Sequence, residues 1–159
     1  MTCINKRLQN RKIKKQIPQK SDFNPRKTIC LIVPHTAKRP GAFSPQLGQS
    51  EYDFMNDFYD DLLMPGLADV GFNVYKFSRD GVGIAGAYSD ALKRKPWLIM
   101  EWHFNAFNSK VSGFEAFHGP DLQLEDDIAH ALMDSMGKAL QTPRRGIKAV
   151  SKGMRGFKN

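Results

Sequence analysis

Two histidines and a glutamate have residue types and positions that could bind one metal ion. His35 follows the apolar run 28–33, and His103 follows a second apolar run at 97–100. Glu51 lies between them at the predicted start of a helix. Because open parallel sheets place their ligand crevice beyond the carboxyl ends of the strands, residues that follow two strands can converge there. A His-Glu-His set with one open position is the ligand count of a catalytic zinc site, where the open position admits an activated water.

Other interpretations of these residues stay open at this point. A lone histidine beside an apolar strand is more often a core or surface residue than a ligand. Glu51 could be an ordinary first-turn acid, which the helix dipole favours whatever its role. His118 ends another predicted strand and competes as a ligand, whereas His130 lies off the apolar stripe of its helix and is expected to be solvated.

The composition predicts one domain and excludes several classes of protein. A chain of 159 residues can bury one sizeable core. Its two cysteines are too few for a disulfide framework or a thiolate zinc cluster. No apolar stretch is long enough to cross a bilayer, and no hydrophobic segment follows the basic N-terminus as in a secretory signal. We therefore expect synthesis in the cytoplasm without a signal peptide, and no membrane insertion.

The net charge of +8 is concentrated at the two ends of the chain. Residues 1–27 lack apolar periodicity and carry nine basic residues against Asp22 alone, which predicts a basic, disordered arm. Residues 28–159 then form the predicted domain. Basic ends can contact any polyanion, or serve only as solvated tails. Because Phe23 is the only aromatic residue of the arm, nucleic acid is not an expected partner.

The order of predicted elements is typical of an α/β domain with a largely parallel, twisted sheet flanked by helices. Ser50 and Asp53 form a capping box at the start of the first helix, and Pro65-Gly66 should kink or interrupt that helix. A long loop with prolines and glycines at 40–48 precedes it. The predicted strands are 28–33, 73–77, the segment before His103 and 114–118, and further helices carry residues 84–92 and 124–140.

A series of ordered motifs runs through nearly the whole predicted domain. They are the strand ending in His35, Gly41-Ala42, Glu51 before an amphipathic helix, Gly71-Phe72-Asn73-Val74, His103-Phe104-Asn105-Ala106, Gly113-Phe114-Glu115 and Arg145-Gly146-Ile147-Lys148. In this order the motifs resemble the zinc-dependent N-acetylmuramoyl-L-alanine amidases of the bacterial and phage cell-wall type. The His-x-Asn-Ala and Arg-Gly-x-Lys elements together are the most specific part of the resemblance.

The resemblance implies a fold, a cofactor and a substrate. It implies a hydrolase-like α/β domain of the phosphorylase type in which His35, Glu51 and His103 bind Zn²⁺, with Asn105 and Glu115 in the substrate groove. The substrate would be the amide between N-acetylmuramic acid and L-alanine in peptidoglycan. The protein would then be a phage or prophage lysis enzyme, an endolysin, that acts at the cell wall or in the periplasm.

The chain departs from the family pattern at two places. Pro34 stands where the family usually has a glycine. The family's proton-shuttling glutamate lies on a late strand beyond the Arg-Gly-x-Lys element, but no acidic residue follows Asp134, so we expect a domain truncated at its C-terminus. Glu101 is the candidate substitute, because residues two apart on a strand share a face and Glu101 could reach the site of His103. A salt bridge or hydrogen bond of Glu101 within the sheet layer, or orientation of that histidine, is favoured above catalysis.

Three alternatives to the amidase remain. Without the late glutamate, the same fold could be a catalytically inactive peptidoglycan-binding module. Val33-Pro34-His35 is also similar to formylglutamate amidohydrolases, a zinc family of related architecture, although the later motifs fit the muramoyl amidases better. A nucleic-acid-binding protein is the least favoured function.

Overall fold

The computed structural model describes residues 27–104, 112–119 and 123–150. The predicted arm at 1–27 lies outside these ranges apart from Lys27, as does Asn105. The strands are β1 (Thr28–Ile32), β2 (Phe43–Ser44), β3 (Gln49–Ser50), β4 (Asn73–Phe77), β5 (Leu98–Glu101), β6 (Phe114–His118) and β7 (Arg144–Ala149). The α-helices are α1 (Glu51–Phe58), α2 (Met64–Asp69), α3 (Gly83–Leu92) and α4 (Gln123–Leu140), with a π-helical segment (Tyr59–Leu63) between α1 and α2.

Strand β1 is the centre of a three-stranded parallel sheet with the order β4-β1-β5. Its side chains alternate between the two faces of the sheet. Ile29, Leu31 and Val33 pack with Met55 and Tyr59 of the first helical stretch. On the opposite face Cys30 and Ile32 pack with Ala87 and Ala91 of α3. Because β1 is covered on both faces, its uncharged sequence is explained by burial.

The face of α3 that packs on the sheet differs from the predicted stripe. The helical spacing of Ile84, Tyr88 and Leu92 predicts the helix, and the helix is present, but Leu92 is exposed and the buried residues are Ala87 and Ala91. Small side chains allow the helix to approach β1 closely, and the Cys30 thiol contacts the Ala91 carbonyl at 3.7 Å. The face of α3 that packs on the sheet is therefore the one with small side chains, and not the one with the largest apolar side chains.

The first helical stretch begins and changes pitch where the sequence predicts. The Ser50 hydroxyl caps α1 by accepting the Asp53 N–H, and it donates to the Asp53 carboxylate at 2.6 Å. The predicted interruption at Pro65-Gly66 takes the form of the π-helical segment, where the Met64 N–H bonds to the Tyr59 carbonyl. Proline has no N–H and its ring crowds the carbonyl four residues earlier, so a local change of pitch accommodates it.

The connections around β1 place two loop segments at one crevice. From β1 the chain passes through α1 and α2 to β4 on one side, then through α3 to β5 on the other side of β1. Ligand crevices of parallel sheets form where connections diverge in this way, beyond the carboxyl ends of the strands. His35 follows β1 and His103 follows β5, so both lie at this end of the sheet.

Strands β6 and β7 form a separate parallel pair among the described residues, connected through α4. The α/β class with parallel strands and flanking helices is therefore confirmed, but the parallel strands occur as two small sheets and not as one broad sheet. The predicted loop at 40–48 also contains the short antiparallel pair β2-β3. No helix in the described ranges is both long and apolar enough to span a bilayer.

Candidate metal centre

The three residues singled out from the sequence lie together in the structure. His35, Glu51 and His103 each offer a ligand atom, and these atoms lie within 4.8 Å of one another. The Nε2 atom of His35 is 3.0 Å from Glu51 Oε2, and Nδ1 of His103 is 3.0 Å from Glu51 Oε1. The two rings meet edge to face with centroids 5.1 Å apart. Side chains 16 to 68 residues apart in sequence thus converge at the predicted end of the sheet.

Glu51 is the buried member of the group, with 2% of its surface exposed. As the first residue of α1, it lies at the positive end of the helix dipole. Its carboxylate accepts hydrogen bonds from the Phe104 N–H at 2.8 Å and the Ala42 N–H at 3.3 Å. Burial opposes ionisation, but the hydrogen bonds from His103, Phe104 and Ala42 outweigh it and lower the pKa of Glu51. The carboxylate is therefore held ionised, as a metal ligand must be.

His35 reaches Glu51 from a backbone conformation that few residues adopt. Its φ is +63°, in the left-handed region. Such a conformation in a non-glycine residue persists only where the surroundings stabilise it, and it is concentrated at functional sites. The neighbouring Gly41 has φ +80°, and a Cβ placed there would lie 2.6 Å from His35 Cδ2 and 2.7 Å from Glu51 Oε2. Only glycine lets the loop pass this close to both side chains.

His103 lies between two carboxylates. Its Nδ1 faces Glu51, and its Nε2 is 3.0 Å from Glu101 Oε1. Burial lowers the pKa of His103, but the hydrogen bonds and charges of Glu101 and Glu51 outweigh it and raise the pKa to about 9. Because a ligand imidazole must be neutral, a metal ion that binds here displaces a proton from this ring.

Glu101 is itself fixed by two partners from outside the metal group. Arg79 donates to Glu101 Oε1, and the Tyr88 hydroxyl donates to Oε2 at 2.8 Å. The Glu101 side chain is 10% exposed. A carboxylate that accepts from the second nitrogen of a ligand histidine fixes the orientation and tautomer of the ring. The structure thus places Glu101 where it can orient His103.

Tyr59 ties together the two strand ends that carry the histidines. Its side chain is fully buried, its hydroxyl donates to the Ile32 carbonyl at 3.2 Å, and it accepts the Trp102 N–H at 3.0 Å. Burial raises the pKa of the phenol, so it stays protonated and can serve as donor and acceptor at once. Tyr59 therefore fixes the spacing of β1 and β5 next to His35 and His103.

The donor set fits a zinc ion. Two imidazole nitrogens and one carboxylate are common zinc ligands, and ligand atoms around a tetrahedral zinc lie about 3.3 Å apart. His35 and His103 each lie 3.0 Å from Glu51, although from different carboxylate oxygens, and the three ligand atoms lie within 4.8 Å of one another. The side chains of His35 and His103 are 31% and 41% exposed, so the group is open to solvent on one side. An ion could therefore enter, and water could occupy a further ligand position.

The other histidines lie away from this group. His118, at the end of β6, contacts the Gly119 carbonyl at 2.8 Å and the Asp126 carboxylate at 3.5 Å. His130 lies 3.8 Å from Asp126, and its side chain is 65% exposed, which confirms the predicted solvated position. Within the described ranges, neither belongs to a three-ligand cluster. The cluster in the described residues thus contains His35 and His103 and not His118.

The two residues expected in a substrate groove have different outcomes. Asn105 lies outside the described residues. The Glu115 carboxylate on β6 pairs with Lys148 of β7 at 2.7 Å and lies 3.9 Å from Arg145. The Arg-Gly-x-Lys element thus lies on a strand parallel to β6, which gives Glu115 a structural partner. A contact of Asn105 or Glu115 with substrate stays a prediction.

Three residues of the site were not predicted from the sequence: Gly41 as a contact residue, Arg79 and Tyr88. The pairing of Glu101 with Arg79, in the loop before α3, and with Tyr88, on α3, depends on how this part of the chain packs on the sheet, which no local pattern shows. The alternation on β5 did indicate that Glu101 and His103 share a face.

Comparison of the chain with protein-family models, with curated proteins and with solved structures finds no match. The resemblance to muramoyl amidases accordingly stays a prediction based on the quoted motifs, and the metal group is described on its geometry alone.

Proposed function

We propose that the protein is a zinc-dependent amide hydrolase that cleaves the bond between N-acetylmuramic acid and L-alanine in peptidoglycan. The observation that carries this proposal is the convergence of His35, Glu51 and His103 within 4.8 Å at the carboxyl ends of two parallel strands. The motif order around these residues supplies the substrate class. Cell-wall lysis is the biological role that this activity would serve.

Each ligand residue has a task that follows from its surroundings. Glu51 supplies a buried, ionised carboxylate, which the Phe104 and Ala42 N–H groups hold in place. His35 and His103 supply imidazole nitrogens from the open side of the group. A zinc ion held by these three ligands would polarise the substrate carbonyl and lower the pKa of a bound water.

Glu101 is proposed to position His103 and not to shuttle protons. Both of its oxygens already accept hydrogen bonds, from Arg79, Tyr88 and His103. A general base must have a lone pair within reach of the attacking water. The engaged carboxylate of Glu101 is better suited to hold the ring of its neighbour than to accept a proton.

A second candidate function follows from this arrangement of Glu101. If Glu101 does not act as the base, the described residues could form a peptidoglycan-binding module that contains a metal site but has little turnover. Sedimentation of the protein with purified sacculi, without release of soluble peptide, would support this binding module over the hydrolase.

The test of the proposed function is zinc-dependent release of stem peptides from purified sacculi. We expect release by the zinc-loaded protein, loss on chelation, and recovery when zinc is added back. His103→Ala should abolish release, whereas His130→Ala, which removes an exposed histidine outside the metal group, should leave it unchanged. Release that survives both chelation and His103→Ala would refute the mechanism.

A further inference from the structure

A small cavity opens beside the candidate metal centre. It has a volume of about 180 Å³ and is lined by His35, Thr36, Arg39, Arg79, Gly83 and Ile84. Because one wall is the candidate ligand His35, a group bound in this cavity lies next to a molecule held at the metal centre. The cavity is large enough for a group of a few heavy atoms.

Two arginines line the cavity, and one of them carries a charge that no described carboxylate pairs. Arg39 is exposed, and within the described part of the chain its guanidinium has no carboxylate partner, although its backbone bonds to Thr36. Arg79 is 11% exposed at its side chain and pairs with Glu101 through one terminal nitrogen. Its buried Nε–H has no hydrogen-bond partner among the described residues. This nitrogen is not accessible from the cavity, so a ligand carboxylate would meet the Arg39 guanidinium, whose planar fork matches its two oxygens.

The N-terminus of α3 also contributes positive electrostatic potential to the cavity. Gly83 and Ile84 line the cavity and are the first two residues of this ten-residue helix. The N-cap residue Val82 supplies no side-chain cap, and the first turn has no acidic residue. The positive end of the helix dipole favours an anion at this wall, and the Asp80 carboxylate, which accepts the Ala37 N–H and lies three residues before the helix, compensates part of it.

We propose that this cavity is a carboxylate subsite, which binds an anionic group of the molecule whose amide lies at the metal centre. The statement that the anionic group belongs to the amide substrate rests on the proposed function, since the stem peptides of peptidoglycan carry carboxylates near the muramoyl amide. The statement that a carboxylate binds between Arg39, Arg79 and the start of α3 does not depend on any reaction.

The first test compares acetate with acetamide, which have nearly the same shape but differ in charge. Each is titrated into the metal-free protein while the backbone amide signals of residues 36–39 and 83–84 are followed by NMR. We expect saturable shifts with acetate and none with acetamide at the same concentrations. Absence of saturable shifts with acetate, or equal shifts with both compounds, would overturn the proposal.

A matched pair of variants locates the binding. Arg39→Gln should weaken acetate binding by about five-fold, as expected for the loss of one charge-assisted contact at a partly open site. Lys38→Gln removes the same charge from the same exposed turn but not from the cavity wall, and should change the affinity less than about two-fold. Equal effects of both variants would reduce the binding to general surface charge and reject the subsite.

The second test concerns the substrate. Conversion of the stem-peptide carboxylate nearest the scissile amide to a carboxamide should lower kcat/KM for the wild-type protein and have little effect on Arg39→Gln. Hydrolysis with no preference between the two substrates in the wild type would reject the subsite and keep the proposed function. Acetate binding by a protein that hydrolyses no peptidoglycan would keep the carboxylate site and reject the proposed function.

Discussion

Substitution of Gly41 by alanine tests whether the loop before α1 holds the candidate metal ligands in place. A Cβ at Gly41 would lie 2.6 Å from His35 Cδ2, and 2.7 Å from both His35 Nε2 and Glu51 Oε2. These distances are far below normal contact, so the ring or the carboxylate must move. Displacement of groups that orient a metal site typically lowers metal affinity by about 10- to 100-fold. We expect a loss of zinc affinity in this range for Gly41→Ala.

Gly48→Ala is the matched control for this prediction. Gly48 lies in the same loop with φ +67°, and a Cβ there meets nothing within 4 Å. Both variants incur the cost of a left-handed backbone for alanine, about 1 kcal/mol, but only Gly41→Ala disturbs the ligands. Zinc affinity measured by competition with a chelating dye separates the two effects. Equal zinc affinities of the two variants would refute the proposed contact between this loop and the metal ligands.

Three further predictions concern the residues that support the site. Ser50→Ala removes the cap of α1 and should lower the free energy of unfolding by about 1 kcal/mol in urea denaturation, so an unchanged midpoint would argue against the cap. Tyr59→Phe leaves two strand-end backbone groups without their partner and should cost about 2 kcal/mol by the same assay, whereas a cost below about 0.5 kcal/mol would show that these bonds are replaced. Glu101→Gln should weaken zinc binding by about 10-fold, because a carboxylate no longer faces His103; loss of hydrolysis with unchanged zinc affinity would instead assign Glu101 to the reaction.

The positions of the three candidate metal ligands could be predicted because each depends on a local pattern. An uncharged apolar run predicts a covered strand, and the next polar residues lie at its carboxyl end, which locates His35 and His103. Ser50 predicts the first residue of a helix, which locates Glu51. The topology of parallel strands then brings these three points to one crevice, and the structure confirms their convergence.

Other features depend on contacts that a local pattern does not contain. The pairing of Arg79 with Glu101 requires the loop before α3 to approach the end of β5. Strand β7 has a basic sequence with no apolar alternation, and it pairs with β6 through the backbone and through the ion pair between Lys148 and Glu115. His35 has a left-handed φ of +63°, which its residue type does not predict.

The most direct test of the metal centre is the zinc content of the purified, metal-reconstituted chain and of its single variants. We predict one tightly bound zinc per wild-type chain, loss of that zinc in His35→Ala, Glu51→Gln and His103→Ala, and retention in His118→Ala. A wild-type chain that takes up no zinc, or a His103→Ala variant that binds zinc as tightly as the wild type, would contradict the convergence of these residues on one ion.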